Sequence, residues 1–249
     1  MNSSNGHYER GFNNHHTGAV VKYTQSSKVS NQNIGTELKN AIARRNQGLA
    51  GRVNYNWNYR YFIDFNFGYN GSENFAKGDR FGFFPAFSLA WNIAEEPFIK
   101  KHLKWMNMFK VRFSYGKVGN DNVGTRFPYL YTIADRYKNG DNDWAQYPSS
   151  YSFGGLGFAD VASNGITWEV AEKNDLGIDL ALFNDKFTAT IDYFDEKRTG
   201  IYMVRNYLPQ IVGLNGHNPA ANVGAVSSKG FDGHFSYKQR INDVNLTVR

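Results

Sequence analysis

The stretch YFIDFNFGY at residues 61–69 decides the fold. Tyr61, Ile63, Phe65, Phe67 and Tyr69 share one parity, Asp64, Asn66 and Gly68 share the other, and Phe62 is the one apolar intruder. Successive side chains of a strand point to opposite faces, so this segment has an apolar face and a polar face. The apolar face is aromatic at both ends, and the segment has the length and the girdle of a strand that crosses a bilayer as part of a β-barrel.

The pattern recurs along the chain. Leu49, Val53, Tyr55 and Trp57 alternate with Ala50, Arg52, Asn54 and Asn56, and Phe83 to Trp91 repeat the scheme around Pro85, Phe87 and Leu89. Phe109, Val111, Phe113 and Tyr115 interleave with Lys110, Arg112 and Ser114. Leu176, Ile178, Leu180 and Leu182 precede an Asn184-Asp185 turn, after which Phe187, Ala189, Ile191 and Tyr193 resume the alternation, and Phe231, Phe235 and Tyr237 repeat it late. Soluble β-sandwiches alternate too, so periodicity alone leaves both readings open.

Composition favours long antiparallel strands: 16% aromatic residues and 25 Gly against 6 Pro and no Cys. The missing cysteines remove disulfides and thiolate metal sites. Mean hydropathy is −0.57, and no apolar run reaches the roughly 18 residues of a membrane helix. A barrel strand hides its signal, because half of its side chains face a polar lumen. The net charge of +6 comes from basic residues scattered over turns and strand ends, which does not make a nucleic-acid surface.

Loop lengths alternate between short and long, the mark of a barrel with one quiet rim and one elaborate rim. Turns at Asn13-Asn14, 58–60 and Asn184-Asp185 alternate with links at 29–47, 71–80, 119–165 and 199–221. The longest link on the short-turn side, 95–108, places Pro97 in a first helical turn and Lys100, Lys101 and Lys104 near its far end, which predicts a short interfacial helix.

Several ordered motifs carry a resemblance. Arg52-Val-Asn-Tyr55, Phe67-Gly-Tyr-Asn-Gly-Ser-Glu-Asn-Phe75, Arg80-Phe-Gly-Phe-Phe-Pro-Ala-Phe-Ser88 with Trp91 and Glu95-Glu-Pro-Phe98, and Val111-Arg-Phe-Ser-Tyr-Gly116 come first. Thr167-Trp-Glu169, Lys173-Asn-Asp-Leu-Gly-Ile-Asp179 and Asp192-Tyr-Phe194 through Thr199-Gly-Ile201 follow in order. Together they resemble the barrel of SusC/RagA-family TonB-dependent outer-membrane transporters over nearly the whole chain.

The resemblance implies an all-β fold, with about nine or ten strands of a large antiparallel transmembrane β-barrel of roughly 22 strands. It makes residues 1–249 part of the barrel domain, with the plug domain and signal peptide absent and no residue assignable to TonB contact. It further implies location in the outer membrane and import of a glycan or peptide. A SusD-like surface lipoprotein would act as lid, and the TonB complex would supply energy through the plug.

In that arrangement Ile63, Phe65, Phe67, Val111, Phe113, Ile178, Leu180 and Ile191 face outer-membrane lipid, while Asp64, Asn66, Arg112, Asp179 and Asp192 face the lumen. Tyr129, Tyr131, Trp144, Tyr147 and Tyr151 in the 119–165 link suit stacking on sugar rings, and packing of the loop is their other role. Sequence neighbours such as Asp141 and Asp143 do not make the converging carboxylates of a hydrolase, and the dispersed histidines lack metal-ligand spacing, so neither an enzyme nor a cofactor is expected. The reading of a different class is a non-transporting surface module that binds glycan or mediates adhesion.

Overall fold

The structure, a computed structural model, describes residues 2–29, 42–135, 156–209, 218–241 and 244–249. Its strands are β1 (Asn2–Phe12), β2 (His15–Lys28), β3 (Arg44–Trp57), β4 (Tyr61–Ser72), β5 (Phe81–Asn92), β6 (Met106–Asn120), β7 (Thr132–Asp135), β8 (Leu156–Asp160), β9 (Glu169–Leu182), β10 (Phe187–Val204), β11 (Ala220–Ile241) and β12 (Val244–Val248). Among the described residues a short helix, α1 (Pro97–His102), follows a 3-10 turn at Ile93–Glu95. No helix among the described residues is long and apolar enough to cross a membrane.

Ten strands form one antiparallel sheet in the order β1-β2-β3-β4-β5-β6-β9-β10-β11-β12, with β1 and β12 at its open edges. The departure from a plain meander is β7-β8, a separate hairpin inside the β6–β9 link. The alternation gave no sign of it. β10 also runs on to Val204, past the loop start expected at Thr199. A register irregularity between Thr199 and Ile201, around Gly200 at φ 68°, breaks the period of two at that point and hides the rest of the strand.

Links alternate as expected. The short rim turns at Asn58-Tyr59, where φ values of 49° and 55° give the left-handed turn that matches strand twist. The same rim carries the Asn13-Asn14 and 183–186 turns and α1. On the resemblance to outer-membrane barrels, whose short turns are periplasmic, this is the periplasmic rim and the opposite one is extracellular.

The two faces are inverted relative to a soluble protein. Ile63, Phe65 and Ile191 are 50%, 44% and 52% exposed, whereas Asp64, Asn66, Arg112, Asp179 and Asp192 on the other face are half-buried. In register, Tyr55, Ile63, Leu89, Phe113, Leu176, Tyr193 and Phe231 form one outward row across seven strands. Trp57, Tyr61, Trp91, Val111, Ile178 and Ile191 form the next row toward the periplasmic rim.

These rows slope relative to the apolar band. On β4 the outward apolar residues run from Tyr61 to Tyr69; on β10 they run from Phe187 to Tyr193, starting two rows lower in register. Above Tyr193 the outward face turns ionic, with Asp195–Lys229 at 2.9 Å and Lys117–Glu172 at 2.7 Å. A drift of about four residues over four strand-to-strand steps, at about 3.3 Å per residue and 4.8 Å per strand, tilts the strands by about 35°. That lies at the tilt of transmembrane barrels, about 35–45°.

At the periplasmic edge the rings of Trp57, Tyr61 and Trp91 stack in sequence, with centroids 5.6 and 6.3 Å apart and planes 13° apart in both pairs. Their polar tips converge on Glu96: the Tyr61 hydroxyl donates to Oε1 at 2.8 Å, Trp91 Nε1 donates to it at 3.1 Å, and Arg60 lies 3.6 Å from Oε2. The Tyr61 hydrogen bond, then that of Trp91, then the charge of Arg60 hold the Glu96 carboxyl below its ordinary value. A carboxylate with a folded pKa below its unfolded one contributes stability at neutral pH, and that contribution is lost as pH falls through the unfolded value and then the folded one. Acidification below the ordinary 4.5 is therefore expected to lower the thermal midpoint of the full-length protein in detergent. Glu96→Gln should flatten that dependence, and an equal acid response in the variant would count against the clamp.

Candidate functional site

The inward face is built from rows in which long charged side chains lie opposite small ones. One row reads Asn56, Phe62, Ala90, Arg112, Gly177, Asp192, Asp232; the next reads Asn54, Asp64, Ser88, Ser114, Asp175, Phe194, Gly230. A groove of about 520 Å³ lies along these rows, with Arg52, Asn56, Asp64, Ser88, Lys110 and Asp175 among its lining residues.

Arg112 is the hub. Its Nη2 sits 2.6 Å and 2.7 Å from the two carboxylate oxygens of Asp192, its Nε 3.2 Å from Asp179 Oδ2 and its Nη1 3.3 Å from Asp175 Oδ1. Register explains the convergence. Arg112 pairs with Gly177 on β9, which puts Asp175 and Asp179 on the two diagonals, and Gly177 pairs with Asp192 on β10. Because Gly177 has no side chain, the guanidinium crosses a whole strand to reach Asp192. A Cβ there would lie 2.5 Å from Arg112 Cζ and 2.8 Å from Nε.

One cation thus meets three carboxylates, and Asp232 pairs with Asp192 on the next strand. The ionic arrangement continues toward the extracellular rim. Arg52 grips Asp64 through both carboxylate oxygens, Lys173 lies 3.1 Å from Glu196, and Arg198 bridges Glu196 and Glu169 at 3.1 Å each. Groups placed this way present a fixed, mixed-charge polar wall. Among the described residues no cluster of three or more His, Cys, Asp or Glu could hold a metal ion.

The extracellular rim holds the cluster of buried apolar side chains. Phe75 (0% exposed), Val123 and Ile166 pack together with Trp168 and Tyr202 against them. Trp168 also meets Phe84 at 5.2 Å and donates to the Arg80 carbonyl at 3.2 Å. Asp121 ties the links together by accepting from Ser72 Oγ at 2.7 Å and Arg44 Nη2 at 3.3 Å. Asn222 joins β11 to this knot through the Thr167 and Gly200 carbonyls, at 2.9 and 2.6 Å.

The five residues expected at the lumen share this one face of the sheet, and the eight expected toward lipid lie on the opposite parity. Arg112, Asp179 and Asp192 are brought into one cluster, while Asp64 and Asn66 belong to the neighbouring group, where Asn66 donates to Asp64 at 2.9 Å. Of the loop aromatics, half-buried Tyr129 donates its hydroxyl to the Glu73 carbonyl at 3.3 Å and Tyr131 is 60% exposed. Trp144, Tyr147 and Tyr151 lie outside the described residues. Sequence reasoning missed Asp175, Gly177 and Glu96; the parity of Asp175 marked its face, but the convergence of all three required cross-strand register or a folded-back link.

An open, inverted sheet with a charged inner wall and an aromatic periplasmic edge is the wall of a transmembrane barrel. The family model for the TonB dependent receptor-like β-barrel matches residues 2–248. The chain belongs to this family. TonB-dependent receptor P3 of Formosa agariphila is 31% identical over 204 residues, covering 80% of this chain and 18% of that protein. TonB-dependent receptor SusC of Bacteroides thetaiotaomicron is 29% identical over 197 residues, 77% of this chain and 18% of its own length. The chain thus spans about a fifth of these curated relatives.

Among solved structures, the RagAB peptide importer in its closed-closed state superposes with a TM-score of 0.76 at 16% identity, over 97% of this chain and 28% of that one. The siderophore receptor PirA from Pseudomonas aeruginosa follows at 0.57 and 12% identity, over 98% and 41%. These similarities show the receptor-barrel fold. Family membership places this receptor barrel in the outer membrane, among receptors rather than enzymes.

The Arg112 hub of this receptor wall generates a test. Gly177→Ala should destabilise the full-length protein by about 1–3 kcal/mol through overpacking. Arg112→Ala should cost about 1–3 kcal/mol, less than a fully buried network because its groups stay partly hydrated. Denaturant unfolding in detergent measures both, and a Gly177→Ala variant as stable as wild type would contradict the crossing.

Proposed function

We propose that this chain forms part of the barrel wall of a TonB-dependent importer, which takes up a nutrient glycan or peptide across the outer membrane. The observation that carries this reading is the inversion of the sheet: apolar side chains outward, an ion-paired polar wall inward. Ile63, Phe65, Phe67, Val111, Phe113, Ile178, Leu180 and Ile191 contact acyl chains, and Asp64, Asn66, Arg112, Asp179 and Asp192 line the lumen beside a plug domain. A SusD-like lipoprotein closes the extracellular mouth and the TonB complex acts on the plug. Similarity to SusC and to a peptide importer supports this class of cargo and partner. Tyr129 and Tyr131 meet the cargo at the mouth, and Trp144, Tyr147 and Tyr151 of the same link are assigned the same stacking role from their residue type alone.

Uptake of labelled peptides and oligosaccharides by cells carrying the full-length gene tests the reading. Import is expected to collapse on deletion of TonB, whereas uptake or surface retention indifferent to TonB would favour a binding or adhesion module. Ile63→Arg on the lipid face should cost roughly 2–4 kcal/mol of folding free energy in bilayers, read by denaturant titration in vesicles. Asn66→Arg on the lumen face should cost far less.

A further inference from the structure

The link between β5 and β6 folds onto the outside of the sheet. Glu96 is held by the polar tips of Tyr61 and Trp91, and both side chains belong to the outward row. The start of α1 therefore sits at the aromatic girdle, on the lipid side of the wall. Phe98 in its first turn and Trp105, three residues past its last, are 59% and 43% exposed, and Trp105 stacks on Phe183 of the next periplasmic turn at 5.4 Å. Between them the surface is basic: Lys100, Lys101, His102 and Lys104 are all exposed. Lys100 is engaged by Glu95, and His102 Nδ1 lies 2.8 Å from the Phe98 carbonyl oxygen. Among the described residues Lys101 and Lys104 have no ion-pair partner.

We propose that this foot is a binding site for an anionic phospholipid of the inner leaflet, with Lys101 and Lys104 on the headgroup phosphate and Phe98 and Trp105 in the adjoining acyl layer. Exposed rings at the level of a membrane interface mark the boundary between hydrocarbon and headgroups. Ammonium groups without partners at that boundary favour a negatively charged headgroup over a zwitterionic one. The rings flank the lysines on the same rim as the stack of Trp57, Tyr61 and Trp91, so the occupant has to be apolar next to its anionic group. That requirement selects a lipid over an acidic soluble protein. The site rests on the outer-membrane barrel reading given above and adds to it a lipid class and its ligands.

The test is native mass spectrometry of the full-length protein released from detergent, titrated with phosphatidylglycerol or phosphatidylcholine. The expected result is preferential retention of phosphatidylglycerol, weakened about 30-fold in K101Q/K104Q and about fivefold in K104Q alone. Heat-modifiable migration on a gel checks that each variant is folded, and the single variant carries the test if the double one is not. Unchanged phosphatidylglycerol retention in folded variants, or equal retention of the two lipids by wild type, would overturn the site while leaving the barrel reading intact. Absence of the wild-type protein from the outer-membrane fraction would instead overturn that reading.

Discussion

Inside hydrocarbon a backbone N–H or C=O has no water to bond, and the need to pair every one of them governs this structure. The ten-stranded ladder meets that need for every strand between its two edges, β1 and β12, without a layered core. Because the ladder alone positions the strands, side chains are free to divide by solvent: acyl chains on one side and an aqueous interior on the other. The inner face then has a problem the outer face lacks, since its long charged groups sit close together in a restricted space. The solution is mutual neutralisation around Arg112 and small residues wherever a neighbour must pass, Gly177 above all.

Much of the architecture was legible in the chain. Tyr61 to Tyr69 revealed both faces, because period-two alternation is strict where each face meets a different solvent. The two unequal rims followed from link lengths, and Pro97 marked the helix. What stayed hidden has physical reasons. The β7-β8 hairpin lies outside the membrane sheet, so no band of alternating hydrophobicity marks it, and the Gly200 irregularity broke the register near the end of β10.

The polar site was half legible. Parity alone assigned Arg112, Asp179 and Asp192 to one face, but their convergence depends on register across three strands, which one sequence does not encode locally. The Glu96 clamp was less visible still: its partners are 5 and 35 positions away and meet it only because the link folds outward. The two rims solve different problems. The extracellular one buries Phe75 and Ile166 in a knot of links that holds the mouth in shape, and the periplasmic one spreads rings and lysines along an edge.

The ion pairs Asp195–Lys229 and Lys117–Glu172 on the outward face set how deeply the wall is immersed. Sinking the sheet toward the periplasm by one pleat would drag four charged groups into the acyl layer, while raising it would lift the Trp57–Tyr61–Trp91 stack off its interface. Vertical position is thus pinned from above by ionic repulsion from oil and from below by rings that prefer the boundary. A wall held at fixed depth by its own surface chemistry can bear a pulling force along the membrane normal without sliding.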